Sequence, residues 1–149
     1  MIERARTNAA TWGVSDRVNF ICGDALNESL LRGLPRPHVV FADPEWEPLG
    51  QPLAAHARDP KQTQPPTPEL MARIRRHLSE NVALRMPLTV DLHAVRVLGP
   101  CEVEQVYIDG QPKFYYVYYG ALTRCAGPTE VRLRNPRSKA QHPGFSPGC

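Results

Sequence analysis

Residues 101–119 read CEVEQVYIDGQPKFYYVYY, two runs of strand-forming residues parted by Asp109-Gly110. Val, Ile, Tyr and Phe fill a half-buried pleated surface well. An Asp-Gly pair takes the left-handed backbone that a two-residue hairpin turn requires. The stretch predicts an antiparallel hairpin of 101–108 with 113–119. What precedes it then decides the fold. Residues 81–86 (NVALRM) read as a strand ended by Pro87, and 89–95 as one short helix stopped by Gly99-Pro100. Pro68 opens a helix whose Leu70, Met71, Ile74 and Leu78 share a face. Residues 38–42 (HVVFA) are a continuous apolar run, which suits a strand buried on both faces. Leu26, Leu30 and Leu31 line a further helix ending near Gly33, and residues 18–22 (VNFIC) read as a strand. Ile2, Ala5, Ala9 and Trp12 give residues 2–12 helical spacing, with Gly13 just past the end.

Strands therefore alternate with helices and finish in a hairpin. Alternation of this kind implies an α/β fold with a parallel sheet, right-handed crossovers and helices on both faces. A terminal antiparallel hairpin on such a sheet is restrictive, because few doubly wound folds end that way. No internal repeat is visible. Residues 43–68 form a long proline-rich loop, of the length that usually marks a functional flap or an insertion.

The 149 residues suit one domain, and 42% hydrophobic with 22% charged residues is the balance of a globular protein. No apolar run reaches the ~18–20 residues of a membrane helix. Met1-Ile2-Glu3-Arg4 is not followed by an apolar signal core, which places the chain in the cytoplasm. The four cysteines (Cys22, Cys101, Cys125, Cys149) include no CxxC pair, and the five histidines show no ligand spacing. Neither a disulfide framework nor a metal site is expected. The net charge of +3 is concentrated after residue 120, where Arg124, Arg132, Arg134, Arg137 and Lys139 face Glu130 alone. Residues 125–149 read as a basic, disordered tail able to attract phosphates. Arg73, Arg75 and Arg76 read as a solvated helix face. The aromatic run 114–119 alternates sides of its strand, so at most one subset shares a surface, and core packing is the expected role.

Two short stretches could carry chemistry. Phe41-Ala42-Asp43-Pro44-Glu45-Trp46 stands where a buried strand ends, and open α/β sheets bind ligands outside such ends. The Asp43 carboxylate can accept a hydrogen bond from an amine. Pro44 fixes the backbone, and the Trp46 indole can stack on a base. The same residues also make an ordinary Asp-Pro turn with Trp46 in the core. In Cys22-Gly23-Asp24-Ala25, Asp24 can accept from an adenine amine or cap the next helix.

These blocks, in order, resemble the class I S-adenosylmethionine-dependent methyltransferases, and above all the RNA cap guanine-N2 methyltransferases, the trimethylguanosine synthase family. The resemblance runs from Ala5-Arg6-Thr7-Asn8-Ala9 and Trp12-Gly13-Val14, through residues 18–24 and 39–46, to Leu84-Arg85-Met86-Pro87, Cys101-Glu102-Val103-Glu104-Gln105 and the aromatic run to Gly120. It covers about residues 1–124. It implies a Rossmann-like sheet of strand order 3-2-1-4-5-7-6. It also implies S-adenosylmethionine as cofactor, its adenine near Asp24 and Ala25, and Asp43, Pro44 and Trp46 as the group that orients a guanine amine of RNA. Methyl would then pass in line from sulfonium to nitrogen, with positioning supplying most of the rate.

Two departures from the pattern stand out. The usual second proline is Glu45 and the following glycine is Glu47, which places two acids beside the clamp. The first two strands and the glycine-rich loop have no counterpart, so the sheet is expected to be incomplete and Met1 to be an internal residue of a longer protein. Three functions follow as expectations: a methyltransferase part acting on guanine N2, a non-catalytic domain that kept the sheet, or a methyltransferase for another acceptor.

Overall fold

Five strands build one mixed sheet: β1 (Val40–Ala42), β2 (Val82–Pro87), β3 (Cys101–Ile108), β4 (Gln111–Tyr119) and β5 (Thr129–Leu133), in the spatial order β1-β2-β4-β3-β5. The computed structural model describes residues 2–47, 57–125 and 127–134. β1 and β2 are parallel, with Val40 beside Val82 and Ala42 beside Leu84. β4 is antiparallel to both β2 and β3, and β5 runs parallel to β3. The predicted hairpin is present, and its turn holds Asp109 at φ 51° and Gly110 at φ 77°.

The register explains the core. One row across the sheet is Val40, Val82, Tyr119 and Cys101; the row two residues on is Ala42, Leu84, Val117 and Val103. Residues two apart on a strand share a face, so both rows face the same way. Against them pack Leu70, Met71 and Ile74 of α3 (Thr67–His77) and Val95 of α4 (Leu92–Arg96). Val82, Leu84, Val95, Val117 and Tyr119 are fully buried there. The Tyr119 hydroxyl donates to the Val95 carbonyl at 3.1 Å, which satisfies the one polar atom of a buried ring. α2 (Glu28–Arg32) docks on α3 rather than on the sheet, and Asn27 caps it by accepting from Leu30 N–H. Its Glu28 carboxylate meets Arg32, Arg73 and, at 3.6 Å, His77. α1 (Ile2–Thr11) rests on the turn Ser15–Arg17 that follows it.

The structure corrects five expectations. Among the described residues helices do not cover both faces: α3 and α4 share one, while Phe41, Arg85, Tyr116 and Tyr118 on the other are exposed or half-buried. Residues 18–22 are not a strand. Val18 and Ile21 lie exposed, because five strand-prone residues gain little without a neighbour to pair with. β1 is an edge strand rather than one buried on both sides, and Phe41 is 57% exposed. Within the predicted tail, 129–133 form β5, held by the buried Glu102. That carboxylate accepts from Arg124 N–H at 2.7 Å, Cys125 N–H at 3.1 Å and the Thr129 hydroxyl at 3.1 Å. Finally, two of the three arginines of α3 are engaged, while Arg76 is exposed as expected. Arg73 pairs with Glu28 and Glu69, and Arg75 donates to the Leu98 carbonyl while lying 4.9 Å over Tyr119. Residues 1, 48–56, 126 and 135–149, with the remaining parts of the loop and tail expectations, fall outside the described residues.

Candidate functional site

Asp43 and Pro44 leave the end of β1, and the loop that follows is tied at its base. Glu45 N–H donates to the Gln64 carbonyl and Gln64 N–H to that of Glu45, both at 2.9 Å. Ala57 N–H returns to the Trp46 carbonyl at 3.0 Å, and Thr89 and Asp91 hold Ala57 and Arg58 from the far end of β2. A buried knot of Thr63 and Thr67 hydroxyls, 2.8 Å apart, joins the loop to the start of α3. These ties fix Asp43, Pro44 and Trp46 at the carboxyl end of the parallel pair, as the sequence reading requires. Trp46 is half-buried, so it is neither a core residue nor a free platform.

Arg85 is the residue the sequence reading missed. It points to the uncovered face of β2, since Val82, Leu84 and Met86 point to the core. Its Nη1 meets Asp43 Oδ2 at 3.0 Å. Its guanidinium carbon lies 4.7 Å from the Trp46 ring centroid and 4.3 Å from that of Phe114. Trp46 Nε1–H donates to the Arg85 carbonyl at 3.2 Å. Arg85 Nε is buried and has no hydrogen-bond partner. A cavity of about 260 Å³ borders Asp43, Pro44, Glu45, Trp46, Glu47 and Arg85. The signal was present in the alternation of residues 81–86, which turns Arg85 to the face opposite Leu84.

A second, mostly apolar groove of about 290 Å³ runs along the open edge of β1. Its lining includes Ala25, Asp43 and Pro44 together with Leu31, Leu70 and Ile74. One cofactor residue of the sequence reading and two acceptor residues thus meet on one groove. Asp24 does not cap a helix. It is exposed, and its Oδ1 accepts from Leu26 N–H at 2.8 Å in a local turn. The groove does not suit the ribose and methionine of S-adenosylmethionine: its lining has one acid, Asp43, and that acid is paired with Arg85.

Further from this site, Phe41, Tyr116, Phe114 and Tyr118 touch edge to face or tilted, with centroids 5.0–6.1 Å apart. The aromatic run is therefore divided: Tyr119 and Tyr115 join the core, and the even-numbered rings line the open face. Burial and the Glu104 carboxylate, which accepts from the Tyr118 hydroxyl at 2.8 Å, push the Tyr118 phenol well above its ordinary value. Among the described residues no three His, Cys, Asp or Glu side chains group as metal ligands, and no helix is long and apolar enough to cross a membrane. The chain matches no protein-family model.

Proposed function

We propose that the chain is the C-terminal part of an S-adenosylmethionine-dependent methyltransferase acting on an exocyclic amine, with guanine N2 of RNA as the leading acceptor. The observation that carries this reading is the sheet order. β1, β2, β4 and β3 stand in sequence, the first pair parallel and the hairpin folded so that its second strand lies against β2. That arrangement agrees with the 4-5-7-6 half of the order 3-2-1-4-5-7-6 that the resemblance implies, with β5 added beyond it. Such an order puts the next strand on the edge of β1 that is open here, over the groove joining Ala25 to Asp43. In this reading the segment bearing that strand lies upstream and supplies the contacts to methionine and ribose that the groove lacks. Asp43 receives the acceptor amine, Trp46 supports the ring, and Asp24 with Ala25 borders the adenine.

Calorimetric titration with S-adenosylmethionine tests the reading on two proteins: this chain, and the chain lengthened by the in-frame upstream coding sequence. The expected outcome is no measurable heat for the first and saturable binding for the second. The second reading, a domain that kept the sheet without catalysis, is favoured by one observation, the Asp43–Arg85 ion pair across the acceptor position. Absence of binding by both proteins selects it.

A further inference from the structure

We propose that Arg85 is the resident plug of an aromatic slot, its guanidinium standing where a planar, amine-bearing ring enters, and leaving for that ring to be bound. The proposal rests on the acceptor reading of Asp43 and Trp46 given above. A guanidinium is planar, delocalised and weakly hydrated; it stacks on aromatic faces and donates in its own plane to a carboxylate. An amine-bearing heterocycle has the same two features, a π face and in-plane N–H donors. The slot serves both features in one place. Trp46 and Phe114 present rings at 4.7 and 4.3 Å from the guanidinium carbon, and Asp43 accepts at 3.0 Å.

Two further observations make the plug removable rather than structural. Arg85 Nε is buried without a partner, although an arginine built in for stability has all five N–H donors to satisfy. The side chains of Arg85 and Asp43 are 34% and 40% exposed, so a path into water is open on the uncovered face of the sheet. With Arg85 turned out, Asp43, Glu45 and Glu47 are left bordering the cavity. The emptied slot is then acidic and selects neutral or cationic rings over anionic ones.

The test uses the full chain carrying Trp12→Phe, so that Trp46 is the one remaining indole. Its fluorescence is followed on addition of methylguanidinium and, separately, of the uncharged nucleoside guanosine. Arg85→Ala opens the slot; Arg85→Met keeps the aliphatic stem against the rings and serves if the alanine variant does not fold. Both variants are expected to bind each probe at least tenfold more tightly than the parent. Equal affinity in parent and variants overturns the proposal. So does tighter binding by the parent, or no binding of either probe by a folded Arg85→Met protein. Methylguanidinium bound without guanosine leaves the plug standing and rejects the nucleobase reading of the site.

Discussion

Gly120 ends β4 at φ 67°, and a Cβ there would lie 2.6 Å from Asn81 Oδ1 and 2.6 Å from the Glu80 carbonyl oxygen. Neither neighbour is free to retreat. Asn81 accepts from Ala121 N–H at 2.8 Å and donates to the His38 carbonyl at 3.1 Å, so it joins the end of β4 to the approach of β1. Gly120→Ala adds a backbone clash to left-handed strain and is expected to lower stability by about 2–4 kcal/mol. Gly110→Ala, at φ 77° with open space around it, carries the strain alone and is expected to lose about 1 kcal/mol. Urea denaturation of the two variants checks this; equal losses would show that the contact with residues 80 and 81 has no cost. Gly110 was legible in the sequence because Asp-Gly between two strands is a local signal. Gly120 was not, since what makes it necessary lies some forty residues away. Arg85 follows the same rule. Its alternation in residues 81–86 showed which face it takes, but only the pairing of β2 with β4 brings Phe114 beside it.

At the scale of elements, β5 pairs with β3 along its length and is anchored at its start by one side chain, Glu102. Its sequence, TEVRL, alternates Thr129, Val131 and Leu133 with charged residues, a period-two pattern that was readable but lay within a segment of basic, tail-like composition. Glu102 supplies what composition does not show, a buried carboxylate that accepts from two backbone N–H groups and a hydroxyl. The hydrogen bond from Arg124 N–H, with those from Cys125 and Thr129 and the Arg124 charge, outweighs burial and holds Glu102 below its ordinary value. Its stabilising contribution is therefore complete above pH 4.5 and lost as pH falls through the lowered value. Glu102→Gln is expected to cost about 1–3 kcal/mol, to speed amide exchange across Thr129–Leu133, and to flatten acid denaturation in that window. Unchanged exchange in β5 would show that strand pairing alone holds it.

The contact of α2 with α3 carries a second titration of the same sign, on a base instead of an acid. Burial, then Arg32, Arg76, Arg73 and Arg36, lower His77 below 6.5, against the single nearby carboxylate of Glu28. A base lowered on folding favours the neutral form. The folded state is thus favoured above pH 6.5 and loses that advantage as pH falls through the lowered value. Stability measured between pH 7.5 and 5 is expected to decline in the parent and to decline less in His77→Gln. A steeper decline in the variant would mean that Glu28 dominates. α3 itself was readable from Leu70, Met71 and Ile74. Residues 18–22 were misread as a strand because strand propensity describes fit to neighbours, and none is present beside Val18 and Ile21.

At the scale of the molecule, the deciding fact is that among the described residues the sheet has one covered face and one open one. β1 leaves its outer edge unpaired, with Val39 45% and Phe41 57% exposed beside the apolar groove. An apolar, uncharged edge is a template for another strand. The parallel sheet expected from the sequence would have hidden it; the apolar run 38–42 lies instead at an edge, with Phe41 facing out. The consequence is measurable. The chain is expected to associate as its concentration rises, with apparent mass by light scattering increasing over a dilution series. Phe41→Lys sets a charge on the open face of the edge strand, and Val39→Lys sets another two residues before it. Because neither side chain belongs to the buried core, folded secondary structure by circular dichroism should persist while association falls. If the lysine variants associate as the parent does, the contact lies elsewhere, and the aromatic face of Tyr116 and Tyr118 becomes the surface to charge next.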